Sequence, residues 1–424
     1  MSGTSLRIAF LVPVLVAHIG SAAERFVPDP ALAEKFGKRR PGTIYDEAKL
    51  PAYVLPDALR MSDGSVVKSP QQWRARRAEI LEMFRGQMYG RSPGRPQELR
   101  FELLEEDPKA MEGAATLKRV AIHSRQGNKT HQFELILFLP NAVKEPAGVF
   151  LQINNRGRRE NDPTRQHQSD FWPAEQVIAR GWGIAAFQNS QLAPDDAKTF
   201  REGVMRLFED DSTGPRPSDA WGALAAWAWG ASRAMDYLET DPHVDKHRVA
   251  VLGHSRGGKT ALWAAAEDER FFLAVSNASG CGGAALSKRR WGETVKILND
   301  VRPHWFCDNF KQYNGREDDL PFDQQMLIGL IAPRAVYVAS GSEDLPADPR
   351  GEFLSLAHAS PVYALWGHDP IAPDAMPPLD VPLISGPRGY HIHTGPHALT
   401  LADWRHFTDF AERLKAKPAR NHEE

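Results

Sequence analysis

The chain has 424 residues, with 52 basic against 54 acidic side chains and 42% hydrophobic residues. That is enough for one large domain with insertions or for two smaller ones. The balanced charge excludes a nucleic-acid footprint and a polybasic membrane patch, and the ordinary composition excludes disorder away from the ends.

In chain order, residues 1–23 read as an export signal. Arg7 gives a weakly positive start, Ile8 to Ile19 is an apolar run too short to span a bilayer comfortably, and Ser21-Ala22-Ala23 places small residues before a cleavage point. A retained anchor is the competing reading. No later segment is long and apolar enough to cross a membrane. Residues 24–70 are rich in proline and charge and predict an arm wrapping the domain. From Gln71 to Tyr89, Trp73, Ile80, Met83 and Phe84 recur at helical spacing, and Gly90 closes the run. Arg100–Leu104, Leu117–His123 and Phe133–Leu139 predict strands of an antiparallel start. Residues 24–145 are therefore the arm and first strands, and 146–415 the core.

The core opens with Val149–Ile153, a buried strand, and the turn-rich Asn154-Asn155-Arg156-Gly157. Strands follow at Trp182–Phe187, Arg248–Leu252, Phe271–Val275 and Ala335–Ala339. Helices are predicted at Asp219–Glu239, Thr260–Ala266 and Leu399–Leu414, with Pro361–Leu365 opening the last part. Strands alternating with helices predict an α/β fold with a doubly wound, mostly parallel sheet. Residues 280–330 break the rhythm and read as an insertion at the carboxyl edge of the sheet, where ligands bind. Residues 416–424 read as a disordered tail. The eleven tryptophans suit either core packing or a sugar site. In an exported protein Cys281 and Cys307 are candidates for a disulfide closing about 26 residues, worth roughly 3 kcal/mol; two buried thiols are the alternative. Their spacing does not make a zinc site.

Gly253-His254-Ser255-Arg256-Gly257 fits the nucleophile elbow G-x-S-x-G. A serine on a tight strand-to-helix turn crowds the backbone two residues to either side, so both flanks must be small. Extended to Gly258-Lys259-Thr260, the same stretch also fits the phosphate loop G-x-x-x-x-G-K-[ST]. The export signal, the late position of the strand, and an acid and a histidine downstream favour the hydrolase. The acid belongs after Ala335–Ala339, with Asp344 first choice and Glu343 second; Asp348 reads as a helix cap or a partner of Arg350. The base is expected in the rigid turn Gly395-Pro396-His397, with His391 and His393 as alternatives. In triad logic His397 shuttles the serine proton while the acid fixes its tautomer. The Arg256 N–H is an expected oxyanion donor, and its side chain is either a further one or a surface ion pair.

From the elbow onward the chain resembles the glucuronoyl esterases, the fifteenth family of carbohydrate esterases. The resemblance rests on Gly253, Ser255, Arg256, Gly258 and Lys259; on Ser279-Gly280-Cys281-Gly282-Gly283; on Trp291-Gly292-Glu293-Thr294; on Pro303-His304-Trp305-Phe306-Cys307; on Ser342-Glu343-Asp344-Leu345 with Ala347 through Phe353; and on Gly395, His397, Asp403 and Trp404. It covers most of residues 145–415. It implies an α/β-hydrolase that splits esters of 4-O-methyl-glucuronic acid on xylan without a cofactor. Ser255 is then the nucleophile, His397 the base and Arg256 the oxyanion partner, with Lys259 and Glu293 as ligands of the sugar hydroxyls. Many members of that family place the acid where this chain has Ala278, and others use the position of Asp344. Pro346 stands where the family usually has a stacking tryptophan, a loss that Trp291 or Trp305 would offset. The expected partner is a uronate ester, with no nucleic acid and no membrane after signal removal, and the expected protein is a monomer in the periplasm or outside the cell. An acetyl or aryl esterase on the same scaffold and a catalytically silent carbohydrate-binding homologue are the competing functions.

Overall fold

In the computed structural model, which describes residues 26–210 and 214–415, one sheet of ten strands organises the chain. The expected signal segment and tail lie outside the described residues. The strands are β1 (Glu98–Ala110), β2 (Ala115–Gln126), β3 (Lys129–Pro140), β4 (Ala147–Asn154), β5 (Gly183–Gln188), β6 (Val244–His254), β7 (Leu273–Asn277), β8 (Ala335–Gly341), β9 (Leu383–Ser385) and β10 (Arg388–His393). Their spatial order is β1-β2-β3-β5-β4-β6-β7-β8-β10-β9. β1, β2, β3 and β5 pair antiparallel, and β5, β4, β6, β7, β8 and β10 form a continuous parallel block. The strands of that block are buried on both faces, so β4, β7 and β8 read as nearly unbroken apolar runs.

The helices that matter for the site are α1 (Pro30–Arg39), α2 (Pro70–Phe84), α3 (Ala223–Leu238), α4 (Arg256–Glu267), α5 (Pro349–His358) and α6 (Leu401–Lys415). α3 and α4 cover one face of the sheet with alanines and large aromatics, among them Trp227 and Trp263. The other face is filled by Trp172, Trp182, Trp404, Phe407 and Phe410. Every tryptophan except Trp366 is buried, so most of them serve packing. α2 ends five residues before the predicted Tyr89, because Arg85–Tyr89 widens into a π turn. Residues 280–330 carry short helices and turns and, among the described residues, add no strand to the sheet.

The expected disulfide is not there: Cys281 and Cys307 are free and buried. The Cys307 N–H is fixed to the Met88 carbonyl at 2.9 Å, whereas Cys281 lies beside Ser287, Sγ to Oγ 3.9 Å. Burial pushes both thiols up, Cys307 to about 11.

Candidate active site

Three connections leave the carboxyl ends of parallel strands: β6 into α4, β8 into α5, and β10 into α6. At the first, Ser255 takes φ 58° and ψ −125°, a conformation that costs a non-glycine residue about 1–3 kcal/mol and persists only where its surroundings impose it. They do so here. The Ser255 N–H donates to the Asn277 carbonyl on β7 at 2.8 Å, and the Ser255 carbonyl accepts from Gly258 and Lys259. A Cβ on residue 253 would lie 2.1 Å from the Gly257 backbone, and one on residue 257 would lie 3.1 Å from the Ile153 carbonyl. Those two clearances are the physical content of the motif.

The phosphate-loop reading fails on its own residues. The Lys259 amine is buried and donates to the carbonyls of Ser279 and Cys281, the latter at 2.7 Å. The Thr260 hydroxyl, which would hold magnesium in such a loop, donates to the Arg256 carbonyl at 2.8 Å.

At the second connection Asp344 is buried and accepts from His397 Nδ1, with Oδ2 at 2.5 Å. Glu343 has an exposed side chain and contributes its backbone N–H to the Gly395 carbonyl at 2.8 Å. Asp348 caps α5 through the Gly351 N–H at 2.9 Å, but its ion pair is with Arg289 at 2.9 Å and not with the expected Arg350, which turns toward Glu47. At the third, the His397 ring stands 4.5 Å, centroid to centroid, from that of His254, the neighbour of Ser255. With Nδ1 engaged, Nε2 is the nitrogen able to take a proton from a hydroxyl. His391 and His393 point away into the core, where both meet Asp403.

The Arg256 guanidinium pairs with Asp195 at 2.8 Å and donates from Nη2 to the Asn155 carbonyl at 3.2 Å. Asp195 also accepts from Trp305 Nε1 at 2.7 Å and meets His304 Nε2 at 2.9 Å. Burial alone would raise the Asp195 pKa; the His304 and Trp305 hydrogen bonds and the Arg256 charge more than reverse this and hold it below its ordinary value. Asp195 was not singled out in the sequence, although a carboxylate just past a strand end at the carboxyl edge of the sheet was the available signal. Trp305 lies against both cations of the elbow, its ring centroid 6.0 Å from the Arg256 guanidinium and 5.8 Å from the Lys259 amine. Trp291 is buried and donates to the Leu345 carbonyl at 2.8 Å, so it props the turn that carries Pro346. Pro346 and Glu293 are partly exposed, and the Glu293 N–H donates to the Pro346 carbonyl at 3.1 Å. The N-terminal arm reaches this rim: Arg40 pairs with Glu293 at 3.5 Å, and the Tyr45 ring stands edge-on to Trp291 at 5.9 Å. Glu352, another residue given no role from sequence, is fully buried, and its Oε1 accepts from the N–H groups of Ser279 (2.7 Å) and Gly280 (2.8 Å).

A strained serine between strand and helix, with an acid–histidine pair delivered from two later strand ends, defines the class: an enzyme of the α/β-hydrolase fold. Residues 122–367 match the family model described as glucuronyl esterase, fungi. The chain is 40% identical over 415 residues to a carbohydrate esterase of an unknown prokaryotic organism, covering 91% of this chain and 94% of that one. It is 26% identical over 331 residues to a 4-O-methyl-glucuronoyl methylesterase of Schizophyllum commune, covering 74% of each. A solved glucuronoyl esterase from Solibacter usitatus superimposes with a TM-score of 0.81 at 41% identity, over 86% of this chain and 99% of that one. The chain belongs to the glucuronoyl esterase family.

Proposed function

We propose that the protein is an exported, monomeric esterase that splits the ester between an alcohol and the carboxyl group of (4-O-methyl-)glucuronic acid on xylan. Ser255 Oγ attacks the ester carbonyl while its proton passes to His397 Nε2. The resulting imidazolium is stabilised by Asp344 and returns the proton to the leaving alcohol. Water then repeats the sequence on the acyl-serine, releasing the uronic acid and restoring the hydroxyl. The Arg256 N–H and guanidinium face the oxyanion. Lys259 and Glu293 take the sugar hydroxyls, and Trp305 and Pro346 supply apolar wall. The observation that carries this reading is the 2.5 Å contact of Asp344 with His397, whose ring packs on the residue preceding Ser255. Family membership supports the uronate substrate, as does the concentration of cations at the elbow. The test is hydrolysis of benzyl glucuronate by wild type, Ser255→Ala and Lys259→Ala. The first variant loses turnover; the second weakens uronate binding and spares simple acetates. Labelling of Ser255 by a phosphonate distinguishes an enzyme from a silent homologue.

One observation favours an acetyl or aryl esterase as second reading. Lys259 spends two of its three N–H donors on main-chain carbonyls, which leaves one for a sugar. Equal kcat/KM on acetate and uronate esters, unchanged in Lys259→Ala, would establish that reading instead.

A further inference from the structure

Behind the candidate base lies a buried polar cluster to which the mechanism gives no role. His393 closes β10 and is 4% exposed. Its Nδ1 faces Asp403 Oδ1 at 2.9 Å, and its Nε2 faces the Pro396 carbonyl at 3.0 Å. Asp403 is a carboxylate by its partners: Oδ2 accepts from the Thr400 N–H at 2.6 Å and hydroxyl at 2.8 Å, and Oδ1 from His391 at 2.7 Å. Both neighbours of His393 are thus oxygens with no hydrogen to give. A neutral imidazole carries one N–H and would turn a lone pair against one of them in a dry site; an imidazolium satisfies both. His391 differs, because its Nδ1 meets the Tyr337 hydroxyl at 3.0 Å, which can donate. Donor atoms of His391, His393 and Asp403 lie within 4.8 Å of one another, and these hydrogen bonds account for each.

The charge has a mechanical consequence. Pro396 immediately precedes His397. The Ser342 N–H donates to the His393 carbonyl at 2.9 Å, and the Gly395 N–H donates to Ser342 Oγ at 3.0 Å, so the loops bearing the acid and the base are stitched together. Residue 341 must be glycine for this, since a Cβ there would lie 2.7 Å from the Pro396 carbonyl and 2.9 Å from His393 Nε2. The titratable groups around His393 are Asp403 on α6, Asp380 in the segment before β9, which holds the Thr394 N–H and hydroxyl, His391 on its own strand, and His254, which senses Asp403 from the elbow. Burial works against the charge; Asp403, the Pro396 carbonyl and Asp380 outweigh it and raise the His393 pKa.

We propose that His393 is a positioning residue for His397: as an imidazolium it ties the Pro396 carbonyl to Asp403, and its deprotonation frees the His397 turn and sets the alkaline limit of turnover. This rests on His397 being the base, but not on the identity of the ester. The experiment is the pH dependence of kcat for benzyl glucuronate in wild type, His393→Gln and Asp403→Asn. Because a misplacement of about 1 Å costs on the order of 100-fold, His393→Gln is expected to lower kcat about 10- to 100-fold with KM within about threefold. It also removes the alkaline fall, whereas Asp403→Asn moves that fall to lower pH. An alkaline fall unchanged in His393→Gln overturns the proposal. Should the variants not fold, the ring nitrogens of His393 in the wild-type protein decide by 15N NMR at pH 7: two protonated nitrogens support the proposal and a neutral tautomer overturns it. Full activity in Ser255→Ala would instead overturn the parent reading of the site.

Discussion

Replacing Asp344 by Asn tests the site most sharply, because the change alters a proton and almost no volume. In the wild type the carboxylate accepts the Nδ1 proton of His397 at 2.5 Å, which leaves the Nε2 lone pair for Ser255. An Asn side chain can present its NH2 to Nδ1 and so stabilise the opposite tautomer, with Nε2 protonated and unable to act as base. In Ser-His-Asp triads this error costs about 10⁴ in kcat, equivalent to about 5.4 kcal/mol of activation free energy. The acids closest to this place are engaged otherwise: Glu343 has an exposed side chain, Glu352 is held by the amides of Ser279 and Gly280, and residue 278 is Ala. The imidazole side chain is 42% exposed, so water can help to solvate the imidazolium and trims the loss. The expected fall is therefore about 10³- to 10⁴-fold in kcat for benzyl glucuronate at neutral pH, with KM little changed and an unaltered melting curve. A fall of less than about tenfold, together with a large one in Glu343→Gln, would refute the assignment.

Three further outcomes are expected. Asp195→Asn removes the charge that orients the Arg256 guanidinium, and kcat should drop about 10- to 100-fold, short of the loss on deleting an oxyanion donor outright; unchanged turnover would show that Arg256 is aimed by other contacts. Thiol titration should find no reactive cysteine in the folded protein and two on denaturation, and a reducing agent should leave Tm where it was; a Tm lowered by reduction would restore the disulfide. Glu352, pushed by burial from 4.5 to about 7 despite its hydrogen bonds to Ser340 and to the Gly280 and Ser279 amides, holds a proton in the folded state that the unfolded chain releases. Its contribution is complete below about pH 4.5 and is lost as pH rises through about 7, by up to about 3 kcal/mol. Urea unfolding at pH 5 and pH 8 should show that decline in wild type and a smaller one in Glu352→Gln; equal slopes would mean that the group is ionised throughout.

The parallel block was legible because its strands are apolar on both faces, and the 2.5 Å contact of Asp344 with His397 was to be expected from an acidic turn after such a strand. β10 is not legible as a strand in the sequence, for a physical reason. Arg388, His391 and His393 occupy buried positions in it, each satisfied by partners on other elements: Arg388 donates to Ser360 Oγ at 2.6 Å and lies over the Tyr363 ring, while the histidines share Asp403. A core strand satisfied through polar contacts looks like a loop in one dimension. Asp195 was hidden differently. In Pro194-Asp195-Asp196 the second acid makes a local turn, accepting from the Lys198 N–H at 2.9 Å, and nothing local separates it from the first, whose partners stand more than sixty positions downstream. Trp291 shows the opposite error: a tryptophan beside a motif reads as a stacking surface, yet its hydrogen bond to Leu345 buries the ring as a strut.

The insertion is where sequence and structure complement each other most. Its residues break the strand–helix rhythm, so they look dispensable to the fold, and among those described they form no strand of the sheet. Yet His304 and Trp305 converge on Asp195, which in turn holds Arg256, and Trp305 packs beside the Lys259 amine. The elbow holds Ser255 by its own turn and the Lys259 amine by the nearby Ser279 and Cys281 carbonyls, but the Arg256 guanidinium is held, through Asp195, by a segment some fifty residues further on. A change at His304 or Trp305 is therefore expected to reach Arg256 through Asp195 without touching the contact of Asp344 with His397. Variation in activity among chains with this same elbow is then to be sought in how the insertion grips the loop after β5.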